Sequence, residues 1–179
     1  MTYVPHYPTA FLERVEIPGR SRILIRPVIP QDADEFRLFV RILSGDSRRN
    51  RFHSTLTEIP ETLLRALTNV DHNKHVALVA KAVDESGVII IGEARFAREE
   101  EDSPAEIAIA VADRWRRKGI GTLLLHRLEI SARRRGVEEM FGSVLAENVA
   151  LIHLAFQTGF KLHTGDTTYG VVKMYKKFS

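Results

Sequence analysis

The stretch from Ala105 to Leu125, AEIAIAVADRWRRKGIGTLLL, constrains the fold of this chain more than any other. It begins with the alternating apolar residues of a β-strand, continues into an arginine-rich turn with two glycines, and ends in a leucine-rich helical run. A strand that leads through such a turn into a helix presents unpaired backbone N–H groups and the positive end of the helix dipole. This order predicts a binding site for a phosphate-bearing ligand.

The composition is that of an ordinary globular protein. With 179 residues, of which 44% are hydrophobic, we expect a single domain over residues 1–179, in which residues 1–20 form an N-terminal arm and first strand. No apolar run reaches the ~20 residues that cross a membrane, and the N-terminus lacks the pattern of a secretory signal. Cysteine is absent, which excludes disulfides and thiolate chemistry. We therefore expect a cytoplasmic protein without a membrane partner.

The net charge of +3 is too small to favour a nucleic-acid-binding protein. Basic residues nevertheless cluster at residues 48–51, 114–118 and 133–135. Trp115 is the one aromatic residue within these clusters, whereas proteins that bind single strands interleave aromatic and basic residues. We interpret the first and third clusters as solvated surface and expect no nucleic-acid partner.

Hydrophobic periodicity and turn residues predict a layered α/β (α+β) fold. The N-terminal half is expected to hold antiparallel strands, including residues 11–17 and the hairpin 75–97, while residues 47–56 form a basic, polar link with at most a short helix. The C-terminal half has the order strand–helix–strand–helix–strand, and a right-handed crossover makes strands 105–111 and 139–145 parallel neighbours. We predict a mixed central sheet of about 6–7 strands flanked by helices. The inward residues of the helix from Asn148 to Thr158 are expected to be Leu151, Ile152, Ala155 and Phe156.

Three phosphate-binding motifs compete for residues 116–121, RRKGIG. A P-loop requires GxxxxGK[ST], and no such string is present. A dinucleotide fingerprint requires a third glycine where Leu124 stands. The pattern Arg/Gln-x-x-Gly-x-Gly/Ala is met at every position, with an apolar strand before it, a leucine-rich helix after it, and Asn148 after the next strand. In this context the pattern resembles motif A of the GCN5-related N-acetyltransferase (GNAT) superfamily.

Further segments narrow the resemblance. Residues 25–33, IRPVIPQDA, are similar to the IRP-x-x-PEDA opening of bacterial protein lysine acetyltransferases of the Pat type, and residues 43–52 and 144–148 also match these enzymes. The likeness runs from about residue 7 to residue 163 and implies a GNAT fold and an enzyme that acetylates a protein lysine, such as one in an acyl-CoA synthetase. Many Pat-type proteins carry an additional regulatory domain, for which we expect no room in this chain.

The resemblance implies acetyl-CoA as cosubstrate and no metal. Backbone N–H groups of residues 116–122 are expected to bind the pyrophosphate, with cationic side chains adding charge and the two glycines allowing close approach. The backbone of residues 109–111 is expected to pair with the thioester carbonyl and the pantetheine amides, because in this fold the strand splays from its neighbour. The predicted cofactor-binding residues are Ile109, Ala110, Val111, Arg116, Arg117, Lys118, Gly119, Ile120, Gly121, Thr122 and Asn148.

Glu106 is the predicted general base, the role that the Pat-type resemblance implies. It is the one acidic residue of the central strand, and we expect its apolar neighbours to raise the pKa of the carboxylate. At ~3.3 Å per residue it lies too far from Ala110 to touch the thioester, so a bridging water is expected. Ala155 stands where many GNAT enzymes have a tyrosine, which leaves the general acid unassigned among water, Tyr169 and His163.

Two other functions remain open at this point. The same fold also serves N-acetyltransferases that act on small amines or antibiotics, since a fold does not determine the acceptor. A non-catalytic module that binds acyl-CoA and regulates a partner is compatible with residues 116–121 as well, and Glu106 alone argues for catalysis. The acceptor, the acyl-chain preference and the oligomeric state, monomer or homodimer, are not predicted by the sequence.

Overall fold

The structure, a computed structural model, describes residues 9–17, 21–54, 56–85, 87–163 and 170–178. The strands are β1 (Glu13–Ile17), β2 (Ser21–Pro27), β3 (His75–Asp84), β4 (Gly87–Ala97), β5 (Ala105–Val111), β6 (Glu139–Leu145), β7 (Lys161–His163) and β8 (Val171–Lys177). They form one sheet with the order β1-β2-β3-β4-β5-β6-β8-β7. The mixed α/β architecture is confirmed, while the eight strands in the described part of the chain exceed the predicted 6–7.

Helices cover both faces of the sheet. They are α1 (Ala33–Ile42), α2 (Gly45–Phe52), α3 (Glu61–Thr68), α4 (Ile120–Arg133) and α5 (Val149–Gln157). Phe36 and Phe39 of α1 and Leu64 of α3 belong to a core on one face, together with Val79 of β3. Leu124 and Leu128 of α4 and Ala155 of α5 belong to a second core on the other face. The sheet is therefore buried between two helical layers in the manner of an α/β protein.

Strands β5 and β6 diverge and open a gap in the sheet. Their parallel pairing is limited to Ala105 with Met140 and Glu106 with Phe141. At Gly142 the two strands pass so close that a Cβ atom would lie 3.2 Å from Cγ1 of Ile107 and 2.9 Å from Cε of Met174. Beyond that point no strand of the described residues pairs with the β6-facing edge of β5, which confirms the expected splay.

Helix α2 lies where we expected a polar link with at most a short helix. Ser44 is the N-cap of α2, and its Oγ accepts a hydrogen bond from the Ser47 N–H at 3.2 Å. The helix ends at Phe52, before His53 in the left-handed region at φ 50°. Its sequence, GDSRRNRF, contains one large apolar residue, so hydrophobic periodicity carries no signal for it.

Two further details of the prediction were wrong. Phe156 was expected to face inward together with Ala155. Ala155 is buried, but Phe156 is 56% exposed. The first strand was expected from residue 11, whereas residues 9–11 form a 3₁₀ turn that buries Phe11, and β1 begins at Glu13.

In the described part of the chain, no helix has the length and hydropathy needed to cross a membrane.

Candidate active site

The turn after β5 leaves the start of α4 open. Gly119 is the N-cap of α4 at φ 80°, and no side chain caps the helix. The first intrahelical bond runs from the Leu123 N–H to the Gly119 carbonyl at 3.0 Å. The N–H groups of Ile120, Gly121 and Thr122 precede that bond and are free for an anion at the positive end of the helix dipole.

A groove of about 800 Å³ runs past this helix start. Ile109, Ala110, Val111, Arg116, Arg117, Gly119, Gly121, Thr122 and Asn148, all predicted cofactor-binding residues, line it. Lys118 and Ile120 are not among its lining residues. The Lys118 ammonium lies 4.8 Å from the Trp115 ring centroid, and Ile120 is buried in the core. The structure thus brings most of the predicted set together around one groove.

The backbone of β5 presents alternate residues to the gap. The Ala112 N–H donates to the Ile91 carbonyl on β4 at 2.8 Å. Backbone groups alternate in direction along a strand, so Ala110 also faces β4, whereas Ile109 and Val111 face the unpaired side. The polar backbone groups available to a ligand are therefore those of Ile109 and Val111, which refines the prediction for residues 109–111.

Arg116 joins the glycine turn to α2. Its Nη2 donates to Ser47 Oγ at 2.7 Å, its Nη1 lies 3.2 Å from Asp113 Oδ1, and its Nε donates to the Val111 carbonyl at 3.3 Å. Burial raises the pKa of Asp113, but the Ser44 N–H, the Ser47 hydroxyl and the Arg116 charge outweigh it, so this pKa lies below its ordinary value. The Arg116 guanidinium therefore positions α2 as well as adding charge to the groove.

Arg117 and Asn148 flank the groove in different ways. Arg117 has φ 58° and lines the groove, and the described residues provide it with no ion-pair partner. Its charge is thus available to a phosphate. Asn148 is the N-cap of α5, where its Oδ1 accepts a hydrogen bond from the Leu151 N–H at 3.2 Å. This bond fixes the start of α5 beside the β5–β6 gap.

A second groove, of about 540 Å³, contains Glu106. Glu106 is exposed, so its apolar neighbours do not bury the carboxylate. The second groove shares Asn50, Arg51, Ile109 and Leu151 with the first groove. The two grooves therefore meet at the unpaired edge of β5, with the glycine turn on one side of the junction and Glu106 on the other.

A buried ion-pair triad lies beside this junction. Glu93 of β4 is fully buried, and its carboxylate pairs with Arg51 at 2.5 Å and with Arg95 at 2.7 Å. Burial raises the pKa of Glu93, but the two guanidinium groups outweigh it and hold the pKa below its ordinary value. The interpretation of residues 48–51 as solvated surface was thus wrong for Arg51. The sequence did contain a signal for this triad, because Glu93 and Arg95 are charged residues within the otherwise apolar strand VIIIGEARFA.

The remaining predicted residues either line neither groove or lie outside the described residues. His163 is on β7 and is not among the residues that line either groove, and Tyr169 lies outside the described residues. Ala155, in the position where many GNAT enzymes have a tyrosine, is fully buried. The described residues contain no group of three or more His, Asp or Glu side chains that could hold a metal ion.

Gly119→Ala is expected to weaken acetyl-CoA binding severalfold and to destabilise the fold by about 1–2 kcal/mol, because an L-residue is strained in the left-handed region. Gly136 is a matched control, since it has φ 71° and equally open surroundings but does not line the groove. Gly136→Ala should lower the melting temperature similarly and leave the affinity unchanged. Calorimetric titration with acetyl-CoA and thermal unfolding of both variants measure the two effects. Equal affinities in both variants would contradict a role for the Gly119 turn in binding.

Comparisons with known sequences agree with this geometry. Residues 40–178 match the family model for the acetyltransferase (GNAT) family. The chain is 30% identical over 138 residues to an acetyltransferase of Pseudomonas aeruginosa, which covers 77% of this chain and 74% of that protein. It is 32% identical over 147 residues to the acetyltransferase Pat of Mycolicibacterium smegmatis, which covers 79% of this chain and 43% of Pat. The chain thus matches less than half the length of this second relative.

Comparisons with solved structures show the same fold. The GNAT domain of PAT from S. lividans superposes with a TM-score of 0.86 at 23% identity, over 97% of this chain and 100% of that domain. The protein yncA of Salmonella typhimurium, solved with acetyl-CoA, superposes with a TM-score of 0.66 at 21% identity, over 88% of this chain and 94% of that one. The fold expected from the sequence resemblance is confirmed.

Proposed function

The chain belongs to the acetyltransferase (GNAT) family, and we propose that it transfers acetyl from acetyl-CoA to the side-chain amine of a protein lysine, with Glu106 as general base. One observation carries this proposal: two grooves meet at the unpaired edge of β5, and each has the chemistry that one substrate needs. The first has backbone N–H groups and a free arginine for phosphates. The second is open and contains a carboxylate.

The residues of the first groove fit coenzyme A. Its volume lies in the range of small-molecule sites. The pyrophosphate binds at the start of α4, where open space surrounds the Cα of Gly119 and where Arg117 adds a positive charge. The pantetheine arm follows the backbone of Val111 and Ile109 into the gap between β5 and β6, and this path ends at the junction with the second groove.

The acceptor amine enters through the second groove. A lysine ammonium has a pKa near ~10.4 and must lose a proton before it can attack. The thioester lies beside Ile109, which is three residues from Glu106, roughly 10 Å along the strand. Glu106 therefore accepts the proton through a water. The neutral amine then attacks the thioester carbonyl carbon and forms the C–N bond, while the carbonyl electron pair moves onto oxygen. An N–H group of Ile109 on the unpaired edge donates to this oxyanion.

Collapse of the tetrahedral intermediate breaks the C–S bond and releases the thiolate of coenzyme A. A thiol has a pKa of about 8.5, so the thiolate leaves without a protein acid, and the excess proton on the attacking nitrogen passes through water to the sulfur. This chemistry accounts for a buried alanine, Ala155, in the position where related enzymes place a tyrosine.

Two observations support a protein lysine over a small amine as acceptor. The chain is 32% identical to a protein named acetyltransferase Pat. Glu106 is exposed, and the loop that precedes β5 carries the acidic residues 99–102, which suits a lysine presented on the basic surface of a folded protein.

Release of free coenzyme A from acetyl-CoA tests this function with a panel of acceptors. The panel contains an acyl-CoA synthetase, other folded proteins, polyamines and aminoglycosides, and mass spectrometry locates the acetyl group. Acetylated lysine on a protein is the expected result. Turnover with small amines alone would instead establish a small-amine acetyltransferase. Tight acetyl-CoA binding without release in any reaction would establish a non-catalytic acyl-CoA-binding module.

A further inference from the structure

Arg51 lines the junction of the two grooves and has an unused hydrogen-bond donor. Its side chain is 9% exposed and lines both grooves. Its Nε donates to Glu93 Oε1, whereas its Nη2 is buried and has no hydrogen-bond partner among the described residues. A buried guanidinium N–H without an acceptor is unfavourable, so this atom is expected to meet an acceptor when the site is filled.

The triad around Glu93 also carries an excess positive charge. One carboxylate faces two guanidinium groups, and the remaining contacts of Arg95 go to the neutral Leu67 carbonyl, at 3.2 Å from Nη1 and from Nη2. One positive charge of the triad is therefore not compensated within it. An oxygen that gains negative charge at this position is stabilised more strongly than it would be in water.

The register of the sheet places this charge next to the reaction centre. Glu93 on β4 is paired with Ala110 on β5, which lies between Ile109 and Val111, the residues whose backbone faces the gap. Arg51 reaches Glu93 from α2, which packs against β5. Arg51 lines both grooves, so its side chain borders the place where a thioester in the first groove would meet an amine in the second.

We propose that Arg51 is a catalytic residue whose Nη2 donates to the acyl carbonyl oxygen of the thioester. The inference rests on the proposed acetyl transfer. This hydrogen bond polarises the carbonyl of the bound thioester. It shortens as the amine attacks and the carbonyl electron pair moves onto the oxygen. Glu93 is a positioning residue that holds the guanidinium through Nε, and the Ile109 N–H is the second donor to the same oxygen.

Isotope-edited infrared spectroscopy of [1-¹³C]acetyl-CoA bound to the full chain tests this contact without an acceptor. In the wild type, the carbonyl stretch is expected at a lower frequency than in free acetyl-CoA, and Arg51→Gln should move it back toward the free value. Arg51→Lys keeps the charge beside Glu93 but lacks Nη2, so it should move the band in the same direction. It provides the same test if the glutamine variant does not fold. Arg49→Gln is the control, because Arg49 is an exposed residue of the same helix that pairs with Glu147.

Steady-state kinetics supply the second readout. Arg51→Gln is expected to lower kcat about 10²–10³-fold with little change in the KM for acetyl-CoA, since a donor to an oxyanion acts mainly in the transition state. An unchanged carbonyl frequency would overturn the proposal even if the protein acetylates lysine. A higher KM for the acceptor at unchanged kcat would also overturn it, because Arg51 would then bind a carboxylate of the acceptor. A shifted band without turnover on any acceptor would support the contact and contradict the proposed function.

Discussion

Replacing Glu106 with glutamine is expected to lower kcat about 10²-fold or more while the affinity for acetyl-CoA stays close to that of the wild type. Glu106 is exposed in the second groove, makes no ion pair among the described residues, and does not line the first groove. The substitution therefore removes the base without disturbing the core or the donor site. Initial rates at saturating substrate and calorimetric titration with acetyl-CoA measure the two quantities. An unchanged rate would remove Glu106 from the mechanism.

The pH dependence of the same variant distinguishes a base from a residue that binds the acceptor. As the pH approaches ~10, a growing fraction of lysine amine is already neutral and needs no base. The rate deficit of Glu106→Gln should then shrink, whereas a deficit in acceptor binding would persist. Glu16→Gln is a suitable control, because Glu16 is also an exposed strand glutamate but lies on β1, at the far edge of the sheet. It should leave the rate unchanged at every pH.

The strands around the site could be predicted because their sequences carry strong local patterns. Ala105–Val111 and Glu139–Leu145 were predicted with the bounds that the structure shows, since each is an apolar run between clear turn residues. The start of α4 was predicted from the glycine turn for the same reason. Local pattern thus located the residues around the first groove.

The second groove depends on contacts that leave no local pattern. Arg51 and Glu93 are 42 residues apart, and a basic run on a polar helix has the same appearance whether one arginine is buried or all are solvated. The exposure of Glu106 depends on which distant segments pack against β5, and the sequence of the strand alone does not determine this. The role of Arg116 in fixing α2 was missed because its partner Ser47 lies 69 residues away.

Glu93→Gln is expected to lower the free energy of unfolding by about 3–5 kcal/mol, because it leaves two buried guanidinium groups without a countercharge. Glu93 is fully buried, and the side chains of Arg51 and Arg95 are 9% and 14% exposed, so water replaces little of the lost interaction. Chemical denaturation measures the change. Glu61→Gln is a matched control, since Glu61 also pairs with two arginines, Arg37 and Arg65, but is 55% exposed. Solvent-exposed pairs contribute little, so this variant should remain close to the wild type.

The effect of Glu93 has a defined pH dependence. Its pKa is lowered in the folded protein, so the unfolded chain takes up a proton first as the pH falls. The stabilisation from Glu93 is therefore fully present above the unfolded pKa of about 4.3 and is lost as the pH falls through the lower folded pKa. Glutamine cannot titrate, so the difference in unfolding free energy between wild type and Glu93→Gln should narrow below about pH 4. A difference that stays constant down to acid pH would show that Glu93 stabilises the fold by packing rather than by charge.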